Sequence, residues 1–238
     1  LFRSQRLASQ PPRALAALLD REWPDVVLHP SVLDSVFLND LVVECRERSI
    51  PLVVAMNSWD NPSTKRAMVG APDWLLVWGP QTRDHAVRFI RMDGDRVVPF
   101  GAAQFDVFRE RPRIDREQFC AAHGLDPSRR IILFAGSNAQ TDEFAALQAL
   151  DRAVNDGRLR NISFVYRPHP WGAGGRNGER LAHARFDHIV VDRNMRAYLD
   201  GIAAGGQRMS LPDYRDTHDL LSAIDGVISP MSTILLEA

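Results

Sequence analysis

Lysine is nearly absent: of 29 basic residues in a chain of 238, only Lys65 is a lysine and the rest are arginines. That bias reads first as composition, so a functional arginine has to be argued position by position. Cysteine is scarce as well. Cys45 and Cys120 are the only two, too few and too far apart for a disulfide framework or a cysteine-based zinc site. No His-x-x-x-His pair or Cys/His spacing offers metal ligands either, and we expect neither a metal nor a cofactor. An excess of charge is also missing. A formal net charge of -1 excludes the basic footprint of a dedicated nucleic-acid binder, so any bound anion must be held by a local site. No apolar run approaches the roughly 20 residues of a membrane span, and the opening LFRSQRLASQPPRALAALLD is too polar for a signal peptide. The expected setting is a reducing cytoplasm, with peripheral contact at the inner face of the membrane left open. Leu1 is not an initiator methionine and STILLEA stops inside a helical pattern, so we read the sequence as a fragment.

What is present is the composition of a globular protein, 45% hydrophobic and 25% charged, enough for one large core or two smaller ones. Short apolar runs alternate with helical periods: DVVLHP before DSVFLNDLVVECRER, IPLVVAMN before PSTKRAMV, DWLLVWG before PQTRDHAVRFI. Runs of this length flanked by Pro, Asp and Gly are buried parallel strands. The pattern lapses around residues 101–115, with one short helix from Asp115 to His123. It then resumes with IILFAG, TDEFAALQALDRAVND, ISFVYRP, HIVVD, THDLLSAI and GVISP. We therefore expect an α/β protein of two Rossmann-like domains, parallel sheets with helices on both faces, truncated at both ends. The first domain covers residues 1–104 and the second 105–238.

Right-handed crossovers gather the βα loops of such sheets at one edge, so ligand-binding groups lie beyond the carboxyl ends of the strands. In FVYRPHPWGAGG, Arg167 and His169 follow a buried strand, and Pro168 and Pro170 fix the backbone between and after them. A guanidinium and an imidazole held this way can both donate to a phosphate; taken alone, the stretch is equally a strand end with a surface cation. GVISPMSTILLEA places Ser232 and Thr233 where a helix begins, with free N–H groups and hydroxyl donors, against the alternative of a plain serine cap. The helix near Thr141 already carries Asp142 and Glu143 at its positive end, which would repel a diphosphate. Glu237 is placed to accept from ribose hydroxyls or to be simply solvated. Gly136 allows close backbone approach, and Ser137 or Asn138 can contact a donor, unless the glycine only permits a turn. GAGGRNG lacks the strand–GxGxxG–helix setting of a dinucleotide fingerprint and reads as a loop.

On the first domain, His29 ends DVVLHP and Asp60 lies in NSWDN. Either can serve as general base toward a hydroxyl, with a slight preference for Asp60 if burial raises it. Trp59 offers a face for a sugar or packs in the core, and Lys65 reaches a phosphate or points to water.

YRPHP followed by SPMSTILLEA resembles the paired His-Pro and Ser-Ser/Thr motifs of GT-B-type transferases with nucleotide-activated donors, namely sialyl- and polysialyltransferases, CDP-glycerol glycerophosphotransferases and related surface-polysaccharide glycosyltransferases. NSWDNPSTK, DWLLVWGPQT and VVPFGAAQFD resemble the amino-terminal half of surface-polysaccharide members. The resemblance spans residues 24–238. It implies phosphate binding by His169, Ser232 and Thr233, an active site in the cleft between the two halves, and metal-independent transfer of a sugar or polyol phosphate. The implied partners are a nucleotide-sugar or CDP-polyol donor and a carbohydrate or lipid-linked acceptor. Pro230-Met231 departs from the tyrosine-serine of some relatives, which leaves the donor base open. Two rivals share the fold: a sugar-nucleotide 2-epimerase and a non-catalytic binding subunit.

Overall fold

The computed structural model describes residues 13–31, 37–64, 70–137, 141–170, 178–204, 213–230 and 232–238; Lys65, Asn138 and the stretch 171–177 lie outside the described residues. The chain divides into two compact units, Leu1–Ala103 and Gln104–Ala238.

The first unit runs α1 (Arg13–Glu22), β1 (Val27–Ser31), α2 (Leu38–Glu47), β2 (Leu52–Met56), α3 (Asn61–Thr64), β3 (Trp74–Val77), α4 (Pro80–His85) and β4 (Val97–Pro99). Among the described residues its four strands are parallel, in the order β1-β2-β3-β4. Leu38, Leu41, Val42 and Cys45 are spaced three and four apart, so α2 buries one face. Along β2, Leu52, Val54 and Met56 are buried and alternate with half-buried Val53 and Ala55, the period of two that a pleated strand imposes. Together with Leu75 and Val77 they form one core. Leu28, Val53 and Trp74 stand side by side in register on the opposite face, where Leu28 is 62% and Trp74 42% exposed. Among the described residues that face carries no core cluster of its own. PQTRDHAVRFI is helical as expected, but α4 widens into a π-helical turn over Ala86–Ile90.

The second unit contains α5 (Arg116–His123), β5 (Arg130–Ala135), α6 (Glu143–Asn155), β6 (Ile162–Arg167), α7 (Gly178–His183), β7 (Ile189–Val191), α8 (Arg193–Ala203), α9 (Tyr214–Ala223), β8 (Gly226–Ile228) and α10 (Ile234–Glu237). All its strands are parallel, in the order β7-β6-β5-β8. α5 starts on a reciprocal capping box between Asp115 and Gln118 and stops at Gly124, whose φ of 66° suits glycine. This sheet is covered twice. Phe134, Phe164 and Tyr166 pack with Leu147 in one cluster. Ile131, Leu133 and Val165 pack with Phe119 and Leu220 in the other. Burial on both faces is why ISFVYR reads as a continuous apolar run.

Candidate functional site

The register fixes what lies at the carboxyl edge of the second sheet. Ala135 pairs with Arg167, and Phe134 pairs with Ile228. β5 therefore ends between β6 and β8, and the two flanking strand ends stand about 10 Å apart at two interstrand spacings. His169 lies two residues past β6, and Ser232 and Thr233 lie just past β8. The backbone around His169 is tied on both sides: Gly136 N–H donates to Arg167 O at 2.8 Å, and the Tyr198 hydroxyl donates to Pro170 O at 2.8 Å.

Arg167, expected as a phosphate ligand, has internal partners in the structure. Its guanidinium is buried and donates to Asp192 Oδ2 at 3.1 Å and to Thr217 Oγ1 at 2.8 Å. Asp192 is itself buried, accepts the Asn194 N–H at 3.2 Å, and has His123 Nε2 at 3.6 Å. A guanidinium out of water needs such partners. Arg167 thus knits β6 to the starts of α8 and α9.

Gly136 and Ser137 are buried, and their close partner is internal. The Glu143 carboxyl folds back from the start of α6, where Oε1 accepts the Ser137 N–H at 2.8 Å and Oε2 accepts the Tyr166 hydroxyl at 2.5 Å. A Cβ on Gly136 would sit 2.6 Å and 2.8 Å from the two carboxyl oxygens and 2.9 Å from the His169 backbone N. The glycine is required by this contact, not by a turn of positive φ. Burial pushes the Glu143 carboxyl up, partly opposed by its two donors. Burial and the adjacent carboxylate raise the Tyr166 phenol.

At β8 the helix begins later than the sequence suggests, at Ile234 instead of Ser232, and Thr233 is the residue before its first turn. Thr233 makes no side-chain capping bond. Burial pushes the Glu237 carboxyl up while the positive charge of Arg167 draws it down. The same carboxylate adds to the burial that raises the Tyr214 phenol. Glu237 therefore lies within electrostatic reach of the β6 end.

On the first unit, Asp60 sits half-buried just before α3. Its Oδ1 accepts from Ser58 Oγ at 2.5 Å and its Oδ2 from Thr64 Oγ1 at 3.0 Å. Trp59 is half-buried, with its carbonyl accepting from Thr82 Oγ1 at 3.1 Å. His29 is not at a strand end. β1 continues through Pro30 to Ser31; among the described residues it is the outermost strand of its sheet, where a residue without an N–H is tolerated. His29 pairs with Val54, shares the core face, and burial holds its imidazole below the usual range.

The chain does contain one Asp-x-Asp, Asp93-Gly94-Asp95, and the structure spends it on a turn, with Asp93 Oδ1 accepting the Asp95 N–H at 3.1 Å. Among the described residues no group of three His, Cys, Asp or Glu side chains is placed to hold a metal ion, and no helix is long and apolar enough to cross a membrane. Sequence reasoning missed Asp192, Thr217 and Tyr166 as partners at this edge. It noticed Glu143 only as an acid at a helix start.

Two Rossmann-type units with parallel sheets define an α/β protein of GT-B-like fold. No family model and no curated protein matches the chain. Solved structures do. The Staphylococcus aureus MnaA–UDP co-structure matches with a TM-score of 0.61 at 14% identity over 99% of this chain and 58% of that one. UDP-GlcNAc 2-epimerase from Neisseria meningitidis bound to UDP-GlcNAc matches with 0.60 at 13% over 93% and 58%. UDP-GlcNAc 2-epimerase from Methanocaldococcus jannaschii matches with 0.56 at 12% over 94% and 61%. At these identities the likeness establishes the fold, and the chain spans less than two thirds of the length of each of these proteins.

Proposed function

We propose that the chain is part of an enzyme that acts on a nucleotide sugar, holding the nucleotide diphosphate on its second unit and transferring the sugar to a hydroxyl acceptor in surface-polysaccharide biosynthesis. The observation that supports this reading is the register of β6, β5 and β8, in which β6 and β8, the strands that His169 and Ser232–Thr233 follow in the chain, flank β5 and end at the same sheet edge. His169 and the hydroxyls of Ser232 and Thr233 donate to the phosphates, and Glu237 accepts from the ribose. Donors aimed at the departing phosphate stabilise the charge that grows there as the sugar–oxygen bond breaks. Arg167 contributes through placement of the β6 end. Asp60 is the base on the acceptor side, since two hydroxyl donors orient its carboxylate without neutralising it. His29 is a weaker choice for that task because it faces the core side of its sheet.

UDP is the nucleotide to try first, because two of the similar structures are named as holding UDP or UDP-GlcNAc. Calorimetry with UDP, CDP, CMP, GDP and dTDP tests the site. His169→Ala and Ser232→Ala should each weaken the preferred nucleotide about tenfold or more with melting temperatures preserved. Affinity for every nucleotide unchanged by both substitutions overturns the assignment. The names of the similar structures favour a second reading, 2-epimerisation of the sugar nucleotide, and product analysis separates the two. An epimerised or eliminated sugar formed without any acceptor supports epimerisation, whereas acceptor-dependent release of nucleotide supports transfer.

A further inference from the structure

We propose that Glu143 is a positioning residue for His169, an inference that rests on the nucleotide site just described. Glu143 is fully buried at the start of α6, where an acidic residue ordinarily faces water. Its two oxygens take donors from one strand and from the segment that follows its neighbour. Tyr166, three residues before His169, belongs to β6, and Ser137 lies two residues beyond β5. One carboxyl thus clasps adjacent strand ends at the edge from which His169 follows. The Gly136 position closes the clasp, because the carboxyl oxygens and the His169 amide nitrogen all lie within 2.9 Å of the point a Cβ would occupy. The Glu143 carboxyl and the His169 amide thus border the same small space beside Gly136, and the Tyr198–Pro170 hydrogen bond restrains the chain just beyond it. Desolvating a carboxyl is costly. Two hydrogen bonds recover only part of that cost, so the burial is better explained by what it fixes than by stability alone.

The test is a double-mutant cycle with UDP as probe, measured by calorimetry on the wild type, Glu143→Gln, His169→Ala and the double variant. Melting temperatures and long-range 1H–15N spectra of the histidine imidazoles accompany it. Glutamine keeps the size of the side chain and loses an acceptor. Glu143→Gln is expected to weaken UDP binding about tenfold in the wild-type background, to have no further effect once His169 is alanine, and to shift the His169 imidazole signals while leaving those of His188 in place. Additive losses with unmoved His169 signals overturn the proposal. Tyr166→Phe, which removes one donor and no carbon, is the second variant if the glutamine protein does not fold, and the same pattern is expected of it. Absence of UDP binding by the wild type counts against the nucleotide reading, and the imidazole spectra then decide the positioning role on their own.

Discussion

Arg167 and Asp192 meet at 3.1 Å with both side chains almost wholly removed from water, twenty-five residues apart in sequence. Removing either partner strands the other as an uncompensated buried charge, which costs about 3–5 kcal/mol. Arg167→Ala and Asp192→Ala are therefore each expected to lower stability by that amount in urea unfolding. An arginine that merely touched ligand would lower nucleotide affinity and leave the unfolding midpoint unchanged.

Gly136 tolerates no side chain while Glu143 keeps its place, since a Cβ would lie 2.6 Å from a carboxyl oxygen. Gly136→Ala should cost about 1–3 kcal/mol, the range for overpacking. Combining it with Glu143→Ala should restore part of the loss, because the close carboxyl is then gone while the His169 amide remains. Chemical denaturation of the single and double variants checks both statements, and strict additivity would show that the two positions do not meet.

His29 links stability to acid. Burial depresses its imidazole in the native state, so the unfolded chain binds the proton more readily. The associated stability is present above pH 6.5, the ordinary histidine value, and is lost as the pH falls through the lowered native value. His29→Asn should flatten the acid side of the stability profile in that interval and leave the alkaline side alone.

Glu143 acts with the opposite slope. Its native carboxyl is raised above the ordinary 4.5, so the folded state holds the proton better and stability declines as the pH climbs from that value through the native one. Glu237, also raised, contributes in the same direction. Glu143→Gln should remove part of that decline, as read from unfolding midpoints between pH 4 and 8. A profile identical to wild type would mean that the carboxyl is not buried.

The strands were legible because parallel strands covered on both faces leave unbroken apolar runs, as in ISFVYR and IILFA. His29 was misplaced because Pro30 reads as a stop, whereas β1, at the edge of its sheet among the described residues, passes through it. The roles at the β6 edge were hidden for a different reason. Arg167 carried a local signal, but the residues that claim it, Asp192 and Thr217, lie 25 and 50 positions away. Glu143 was visible as an acid beside a helix dipole. Its inward turn depends on Tyr166, 23 residues on, and no period or spacing encodes that distance.

The row Leu28, Val53 and Trp74 has a practical consequence at the bench. Leu28 and Trp74 expose hydrocarbon and indole on either side of half-buried Val53, so Leu28→Thr together with Trp74→Thr is expected to raise the solubility of this polypeptide.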